Sequence, residues 1–408
     1  MDRFKNLPYP ISSSFDIGTT CFGPRTEIPH IDKIHDVNYC NANYLPATGL
    51  IDLPWASEGG KFKVGEVICE AQWPDGSPLQ AAPRAVARKQ IERLDAMGYT
   101  FLSAFELEFF VVDAETKKAV FDGLEFQSDI VLSRNVQWLY DVEKQLQGVG
   151  IEIGQMHTEY SPGQFELAMV PKKGIKPFDD MYVMKQALRD ILPKYGVQPT
   201  FMTRPFSGIG GSSGLHFNHS LWDKDGKSAF YDSTKPDNMS DPMRYWIGGI
   251  MKHIHPLLVL CSPTPNCFRR LHNPWAPDKA DWDFDHRMVA IRAKTSSAKS
   301  SLVENRLPTP AGNPYLIAAA TIAAGIDGLK NKIEPPPKGQ NDSNAPLASF
   351  EECVKALKED KVIVDALGAE FVDWWVSLKT EFEMKKFADK STTEEVMQAE
   401  REEYFDFI

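Results

Sequence analysis

Two glutamates stand two positions apart in a strongly apolar run, FELEFF, which begins at residue 105. If this run is a strand, Glu106 and Glu108 point to one face, and the apolar residues beside them point to the other. Paired carboxylates in apolar surroundings repel each other and resist desolvation, so a divalent cation with oxygen ligands would stabilise them. An exposed polar face on an amphipathic strand would explain the same spacing. The motif therefore predicts either a cation site or a solvated strand face.

Further candidate ligands follow along the chain. The segment HTEYSPGQFE indicates a strand, a Ser-Pro-Gly turn and a second strand, which would set Glu159 and Glu166 across a hairpin from each other. Beyond a glycine-rich loop, the strand-like run LHFNHSLW places His216, Asn218 and Ser220 on one face. A histidine in such a strand can equally be a hydrogen-bonded core residue.

An arginine set lies in the second half of the chain: Arg269, Arg270, Arg287, Arg292 and Arg306. Guanidinium groups bind carboxylates and phosphates with two parallel hydrogen bonds, so a set of them is suited to anionic substrates. Taken one at a time, arginines are more often partners in surface ion pairs.

The elements that would position these residues indicate an α+β protein. Short β-type runs and turn formers fill residues 1–79, which predicts a small β domain. From Pro83 a helical pattern opens a second, larger domain, which we bound at 80–408. In it, strand-like segments alternate with helical stretches near 135–148, 178–193, 241–260 and 313–330. An antiparallel sheet is the expected floor for a site.

Composition excludes several function classes. The 408 residues carry a net charge of -11, which argues against general binding to nucleic acid or to an anionic membrane surface. The N-terminus has no apolar run typical of a signal peptide, and no segment is long enough to predict a membrane span. The six cysteines form no CxxC pair. We therefore expect a cytoplasmic protein with reduced thiols.

Six strings of sequence occur in the order found in the glutamine synthetase family and extend over nearly all of residues 45–408. They are FELEFF, HTEYSPGQFE, GSSGLHFNHSLW, SPTPNCFRRL, HRMVAIR and ENRLPTPAGNPYLIAAATIAAGIDGL. The short SPGQFE turn, the run ALGAEFVDWWVSLKTEFE and the terminal EREEYFDFI resemble the type I branch that contains lengsin and glutamylpolyamine synthetase-like proteins.

This resemblance implies a β-grasp N-terminal domain and a catalytic domain whose curved antiparallel sheet is surrounded by helices. It also implies a homo-oligomer, a dodecamer of two stacked hexameric rings with active sites between neighbouring subunits. Two magnesium or manganese ions per site are expected. By position, Glu108, Glu159 and Glu166 match the ligands of one ion. The ligands of the second ion match Glu106, His216 and Glu304.

The remaining site residues follow from the same resemblance. The nucleotide-binding positions of the family match Asn218, Ser220, Arg292 and Lys299. The positions that hold glutamate and the γ-phosphoryl group match Arg270, Arg287 and Arg306. The implied reaction phosphorylates the glutamate side chain with ATP, and ammonia or a small amine then displaces phosphate. Metals and arginines would offset charge on the transferring group.

Three positions depart from the family pattern, and a fourth matches it only weakly. Ala276 stands where ammonia-using members carry a glutamate, which favours an organic amine as acceptor. Leu302 replaces an arginine that contacts ATP phosphate, and Gly211 replaces an asparagine beside glutamate. Asp16 is a weak match to the aspartate of a neighbouring subunit. These departures keep two alternatives open: a non-catalytic, lengsin-like structural or chaperone ring with a cytoskeletal filament partner, and a module that binds an amino acid or polyamine without turnover.

Overall fold

The structure is a computed structural model that describes Ser12–Ser13 and residues 42–408, apart from 58–62, 74, 80–81, 124, 208–210 and 340–344. Asp16 and most of the proposed N-terminal domain lie outside the described residues. The strands described for that domain form a three-stranded sheet, β1 (Ser12–Ser13), β2 (Ala42–Pro46) and β5 (Cys69–Gln72), and a pair, β3 (Ile51–Asp52) and β4 (Gly65–Glu66). The β-grasp domain therefore stays a prediction.

The larger part of the chain alternates strands and helices. The strands are β6 (Tyr99–Asp113), β7 (Ile153–Thr158), β8 (Gln164–Met169), β9 (Lys172–Lys173), β10 (Val197–Thr200), β11 (Leu215–Asp223), β12 (Trp282–Phe284), β13 (Ile291–Lys294) and β14 (Leu302–Asn305). The α-helices are α1 (Pro83–Ala96), α2 (Asp129–Gly148), α3 (Lys176–Ile191), α4 (Asp241–Lys252), α5 (Ile254–Cys261), α6 (Pro265–Phe268), α7 (Pro314–Asn331), α8 (Phe350–Glu359), α9 (Lys361–Leu367), α10 (Ala369–Ser377) and α11 (Thr393–Tyr404).

Single turns of 3₁₀-helix complete the described secondary structure, at Pro54–Ala56, Leu192–Tyr195, Pro236–Asn238, Arg269–His272 and Glu383–Lys385, with a π-helical turn at Leu378–Phe382. The helical stretches predicted from the sequence are confirmed, although the stretch near 241–260 is divided into α4 and α5 at His253. Among the described helices, none has both the length and the hydropathy needed to cross a bilayer.

A nine-stranded sheet is the centre of the described fold. Its main order is β12-β13-β14-β11-β6-β8-β7, and β9 and β10 also pair with β6. All of these pairings are antiparallel except that of β12 with β13. The expected α+β class with a largely antiparallel sheet is confirmed. Because β8 and β11 both pair with the middle of β6, residues from these three strands meet around Glu106.

The alternation of side chains in β6 separates the core from the site. The apolar side chains of Phe105, Leu107 and Phe109 are fully buried. The ring of Phe105 stacks on Phe217 of β11, with centroids 4.7 Å apart. Phe178 of α3 packs on both rings. Burial of this apolar face fixes the strand register, because a slip of one residue would move the glutamates into the core.

Candidate active site

A cleft of about 560 Å³ opens on the polar side of the sheet. Nine residues predicted from the sequence line it: Glu106, Glu108, Glu159, Glu166, His216, Arg270, Arg287, Arg292 and Arg306. They come from strands β6, β8, β11 and β13, from the segments that follow β7, β12 and β14, and, for Arg270, from the 3₁₀ turn Arg269–His272. The sheet thus brings both the acidic set and the arginine set to one place.

Cross-strand pairs in the sheet position the first carboxylates. Glu106 faces His216 across β6 and β11 in the sheet register. It accepts a hydrogen bond of 2.7 Å from Asn218 Nδ2. Burial raises the pKa of Glu106, and the charges of Glu304 and Glu166 act in the same direction. Neutralising this carboxylate requires a proton or a cation.

Glu108 is held differently, by three donors. Its Oε1 lies 3.1 Å from His216 Nε2, and its Oε2 accepts bonds from Gly214 N (2.7 Å) and Gln164 Nε2 (3.1 Å). Burial opposes ionisation, but the hydrogen bond and charge of His216 lower the pKa of Glu108 to about 2. The side chain is therefore an oriented anion.

The β7–β8 hairpin is present, but its register corrects the expected pairing. Glu166 lies opposite His157, not opposite Glu159. Glu159 follows the end of β7, and its backbone N–H donates to Gln164 O at 2.9 Å. The loop has four residues, Tyr160–Gly163, so Glu159 is paired with the residue just after the turn. Since Glu159 and His157 are two apart, they still share a face with Glu166.

His157, Glu159 and Glu166 form a compact group whose ligand atoms all lie within 4.8 Å of one another. The Nε2 atom of His157 is 3.3 Å from Glu166, and its Nδ1 atom is 3.6 Å from Glu159. Burial opposes the charge on His157, but Glu166 and Glu159 raise its pKa to about 9. Burial and the charges of Glu108 and Glu166 raise the pKa of Glu159 to about 8.

Glu304 is buried on β14 and has three cationic partners. Arg292 Nη1 lies 3.0 Å and Lys294 Nζ 3.4 Å from its Oε2, and Arg306 binds its other oxygen. Burial opposes its charge, but Arg306 and its other cationic neighbours lower the pKa of Glu304 to about 2. The Glu304 carboxylate therefore orients guanidinium groups, and it also supplies oxygen atoms of the kind that bind divalent metal ions.

The arginines have little freedom to move. Arg270 is 2% exposed and donates from Nη1 to Arg306 O at 2.8 Å. Burial lowers the pKa of Arg270 to about 10, and it stays cationic at neutral pH. Arg292 contacts Asp285 at 3.3 Å. Arg287, by contrast, is an exposed residue at the cleft wall.

Several buried polar atoms in this part of the described structure have no hydrogen-bond partner: His216 Nδ1, Asn218 Oδ1, Arg270 Nε, Arg292 Nε and Arg306 Nε. Buried polar groups are normally satisfied, so this concentration indicates groups that bind here. Carboxylate oxygens with one imidazole form a donor set suited to Mg²⁺ or Mn²⁺. The residues present therefore fit a divalent metal centre.

Glycine 214 allows this close packing. A Cβ atom at Gly214 would lie 2.8 Å from His216 Cε1 and 2.9 Å from Arg270 Nη2. Any larger residue would displace a member of the acidic set or of the arginine set. Glycine is thus required sterically at position 214.

Three predicted nucleotide-binding residues, Asn218, Ser220 and Lys299, are not among the described residues that line the cleft, and the predicted metal ligand Glu304 is not among them either. Ser220 lies two positions beyond Asn218 on β11 and accepts a bond of 3.0 Å from Trp222 Nε1. Lys299 is exposed in the segment between β13 and β14. Of the positions that depart from the family pattern, Gly211 and Ala276 line the cleft, and Leu302 begins β14.

The polar lining residues that sequence reasoning missed include His157, Gln164 and Lys294. For His157 and Lys294 a signal was available, because each stands two residues from a predicted site residue on the same strand or its end. Gln164 could be identified only from the hairpin register, which places it opposite Glu159.

Comparison with known proteins agrees with this arrangement. The model of the glutamine synthetase catalytic domain matches residues 80–401, which is most of the chain. The chain belongs to the glutamine synthetase family. It is 33% identical to glutamine synthetase of Thermotoga maritima over 362 residues, which cover 84% of this chain and 81% of that protein. It is 28% identical to the glutamate–isopropylamine ligase of a Pseudomonas species over 364 residues, 84% of this chain and 78% of that protein.

Solved structures of the family have the same fold. The complex of GmaS with ADP superposes with a TM-score of 0.78 at 24% identity, covering 87% of this chain and 84% of that chain. A novel glutamine synthase homologue gives a TM-score of 0.81 at 20% identity, covering 95% of this chain and 90% of that chain.

Proposed function

We propose that the protein is an ATP-dependent ligase that joins the side-chain carboxylate of glutamate to ammonia or an organic amine through γ-glutamyl phosphate. The observation that carries the proposal is the single cleft in which the acidic residues and the arginines meet. Its relatives include a glutamine synthetase and a glutamate–isopropylamine ligase. Both names describe ligation of an amine to glutamate, so the non-catalytic alternatives receive no support from them.

Two divalent ions, Mg²⁺ or Mn²⁺, would be held by two groups of ligands. One group is Glu108, Glu159 and Glu166, and the other is Glu106, His216 and Glu304. When bound, such ions neutralise negative charge on a transferring phosphoryl group. The protein's own part is to keep these side chains oriented, which Asn218 and Gly214 do for Glu106 and Glu108.

The arginines would hold the anionic substrates. Arg270, Arg287 and Arg306 would bind glutamate and stabilise charge on the γ-phosphoryl group, since fixed cations in a buried site need no reorganisation during transfer. We propose that ATP is bound by Asn218, Ser220, Arg292 and Lys299. Arg292 is the best supported of these, because it lines the cleft and has an unpartnered buried nitrogen.

The acceptor is proposed to be an organic amine in preference to ammonia. Ala276 lines the cleft and is 4% exposed, so this position offers a methyl group and no carboxylate. An ammonium ion needs a carboxylate to attract and deprotonate it, whereas the substituent of an amine can gain contact with an apolar wall.

The wider organisation is proposed from the family resemblance. It comprises a β-grasp domain at 1–79, a catalytic domain at 80–408, and a cytoplasmic dodecamer of two hexameric rings with sites shared between subunits. Among the members of the family, we place the chain in the type I branch with lengsin and glutamylpolyamine synthetase-like proteins.

Phosphate release measured with Mg²⁺, ATP, glutamate and a panel of amines tests the function. Wild-type protein should release phosphate only when glutamate and an acceptor are both present. Glu159→Ala should remove this activity, while Glu115→Ala, an exposed carboxylate in the turn after β6, should not. Equal rates for wild type and Glu159→Ala with every acceptor would overturn the proposal.

A further inference from the structure

Two exposed aromatic residues stand at the wall of the cleft. Trp275 is 54% exposed and Tyr160 is 40% exposed, although both are large apolar side chains. Both line the cleft, and their ring centroids are 6.4 Å apart with the planes inclined at 56°. Because the two rings are tilted and partly exposed, part of each ring surface is available for contact with a ligand in the cleft.

The polar part of the site holds both aromatic residues in place. The backbone N–H of Tyr160 donates to Glu159 Oε2 at 3.1 Å. The carbonyl of Trp275 accepts from Arg306 Nη2 at 3.4 Å. Since Glu159 and Arg306 belong to the proposed metal and substrate sets, the backbones of Tyr160 and Trp275 are tied directly to the reacting groups.

The backbone of Trp275 also departs from ordinary geometry. Its φ angle is +68°, in the left-handed region that bulky residues seldom adopt. Such conformations persist where the surroundings hold them, and they concentrate at functional sites. Glycine would adopt this φ angle without strain, so the position has a bulky ring in spite of its backbone conformation.

Further apolar surface adjoins this pair. The next residue, Ala276, is buried at the cleft wall. Phe126 is 51% exposed, lines the same cleft and packs edge-on against His157 with centroids 6.1 Å apart. Ammonia has no hydrocarbon part and gains nothing from these rings, whereas an alkyl or aryl group buries area against them.

The charges of the cleft decide between a monoamine and a diamine. Among the described residues that line it, the carboxylates are the four glutamates already proposed as metal ligands, Glu106, Glu108, Glu159 and Glu166. The basic lining residues are Arg270, Arg287, Arg292, Lys294, Arg306, His157 and His216. A second ammonium group would therefore meet cations and no available carboxylate in this described lining, which is unfavourable at short range.

We infer that the acceptor is a primary monoamine with a hydrocarbon chain or ring, and that Trp275 and Tyr160 contact this hydrocarbon part. The inference rests on the proposed ligase function and names its acceptor class. In the step concerned, the amine nitrogen forms a bond to the acyl carbon of γ-glutamyl phosphate. The C–O bond to phosphate breaks, phosphate leaves with the electron pair, and the nitrogen releases its extra protons to water.

The test compares kcat/KM for ammonia, methylamine, isopropylamine, hexylamine, benzylamine and putrescine. Proteins to compare are wild type, Trp275→Gly, Tyr160→Ala and the control Tyr140→Ala, an exposed aromatic on α2 away from the cleft. Glycine is chosen at 275 because it accepts a positive φ. Thermal unfolding of each variant reports whether the fold is kept.

In wild type, kcat/KM should rise at least tenfold from methylamine to hexylamine or benzylamine, and putrescine should be poorer than hexylamine. Trp275→Gly and Tyr160→Ala should remove most of that rise and change the ammonia value less than threefold. A flat series, a preference for ammonia or putrescine, or an equal loss for all acceptors would overturn the inference while leaving the ligase function in place. No glutamate-dependent phosphate release with any acceptor would overturn the ligase function itself.

Discussion

Glu108 and Glu166 lie directly opposite each other, paired across strands β6 and β8. Like charges in this cross-strand relationship are destabilising, and both side chains are buried. The sheet retains the pair together with Glu106 and Glu159 in one cleft. A bound divalent cation converts this repulsion into attraction, which is why the acidic set is the centre of the proposed chemistry.

Glu159→Gln should have opposite effects with and without metal. In chelated protein at pH 8, the variant should gain about 1 kcal/mol in free energy of unfolding, since it removes a charge that burial, Glu108 and Glu166 disfavour. Saturating Mg²⁺ should raise the free energy of unfolding of Glu159→Gln by less than it raises that of wild type. Urea unfolding measures both. Glu115→Gln is the exposed control, and a loss of stability without metal in the Glu159 variant would contradict the expectation.

Gly214→Ala should impair catalysis at a moderate cost in stability. Its methyl group would meet His216 and Arg270 at under 3 Å, so one of them must shift. We expect kcat/KM to fall at least tenfold, with roughly 1–3 kcal/mol of destabilisation from overpacking. Gly148→Ala at the end of α2 has open space around it and serves as control. Unchanged kinetics in Gly214→Ala would show that the close packing is unimportant.

Arg306→Lys should lower activity more than stability. The guanidinium of Arg306 binds Glu304 and also reaches the carbonyl of Trp275, which one ammonium group cannot reproduce. Loss of a fixed transition-state donor predicts a fall of about 10²-fold in kcat. Steady-state kinetics with ATP and glutamate check this, with Arg134→Lys, an exposed residue of α2, for comparison. A fall of less than threefold would exclude the role.

His253 forms two buried ion pairs, which should make the free energy of unfolding depend on pH. Its Nδ1 lies 2.5 Å from Asp360 and its Nε2 2.9 Å from Asp327. Burial opposes charge on all three groups, but their mutual hydrogen bonds raise the pKa of His253 and lower the pKa of each aspartate. The stabilisation is therefore full between about pH 4 and 6.5, and it is lost as pH rises through the raised imidazole pKa.

His253→Asn should accordingly cost about 3 kcal/mol in free energy of unfolding near pH 6, because it leaves Asp360 without its cation and leaves Asp327 with Lys252 alone. The cost should shrink as pH rises above 7. Chemical unfolding between pH 5 and 9 measures it, and His286→Asn, an exposed histidine, is the matched control. A cost that grows with pH would contradict the assigned sign.

Local pattern sufficed to predict four of the strands, β6, β7, β8 and β11, and the acidic residues on or beside them. The two-residue spacing of Glu106 and Glu108, with apolar residues between them, fixed both the strand and the polar face, because burial of Phe105, Leu107 and Phe109 leaves one register. The long helices were predicted for a related reason, since their apolar positions repeat with the helical period.

Long-range register could not be predicted in the same way. A turn sequence indicates a hairpin but does not state which residues face each other, so His157 was overlooked as the partner of Glu166. Arg270 and Arg306 join the site through a backbone carbonyl bond, which no side-chain pattern encodes. Lys299 came from resemblance alone, and so did the nucleotide-binding role of Ser220; neither residue is among the described residues that line the cleft.

Isothermal titration calorimetry with Mn²⁺ on the chelated wild-type protein tests the central claim most directly. The arrangement of Glu106, Glu108, Glu159, Glu166, His216 and Glu304 predicts saturable uptake of two ions per chain, lost or reduced to one in Glu159→Ala. Absence of saturable uptake by wild type, or the same stoichiometry in both proteins, would contradict a metal centre at this cleft.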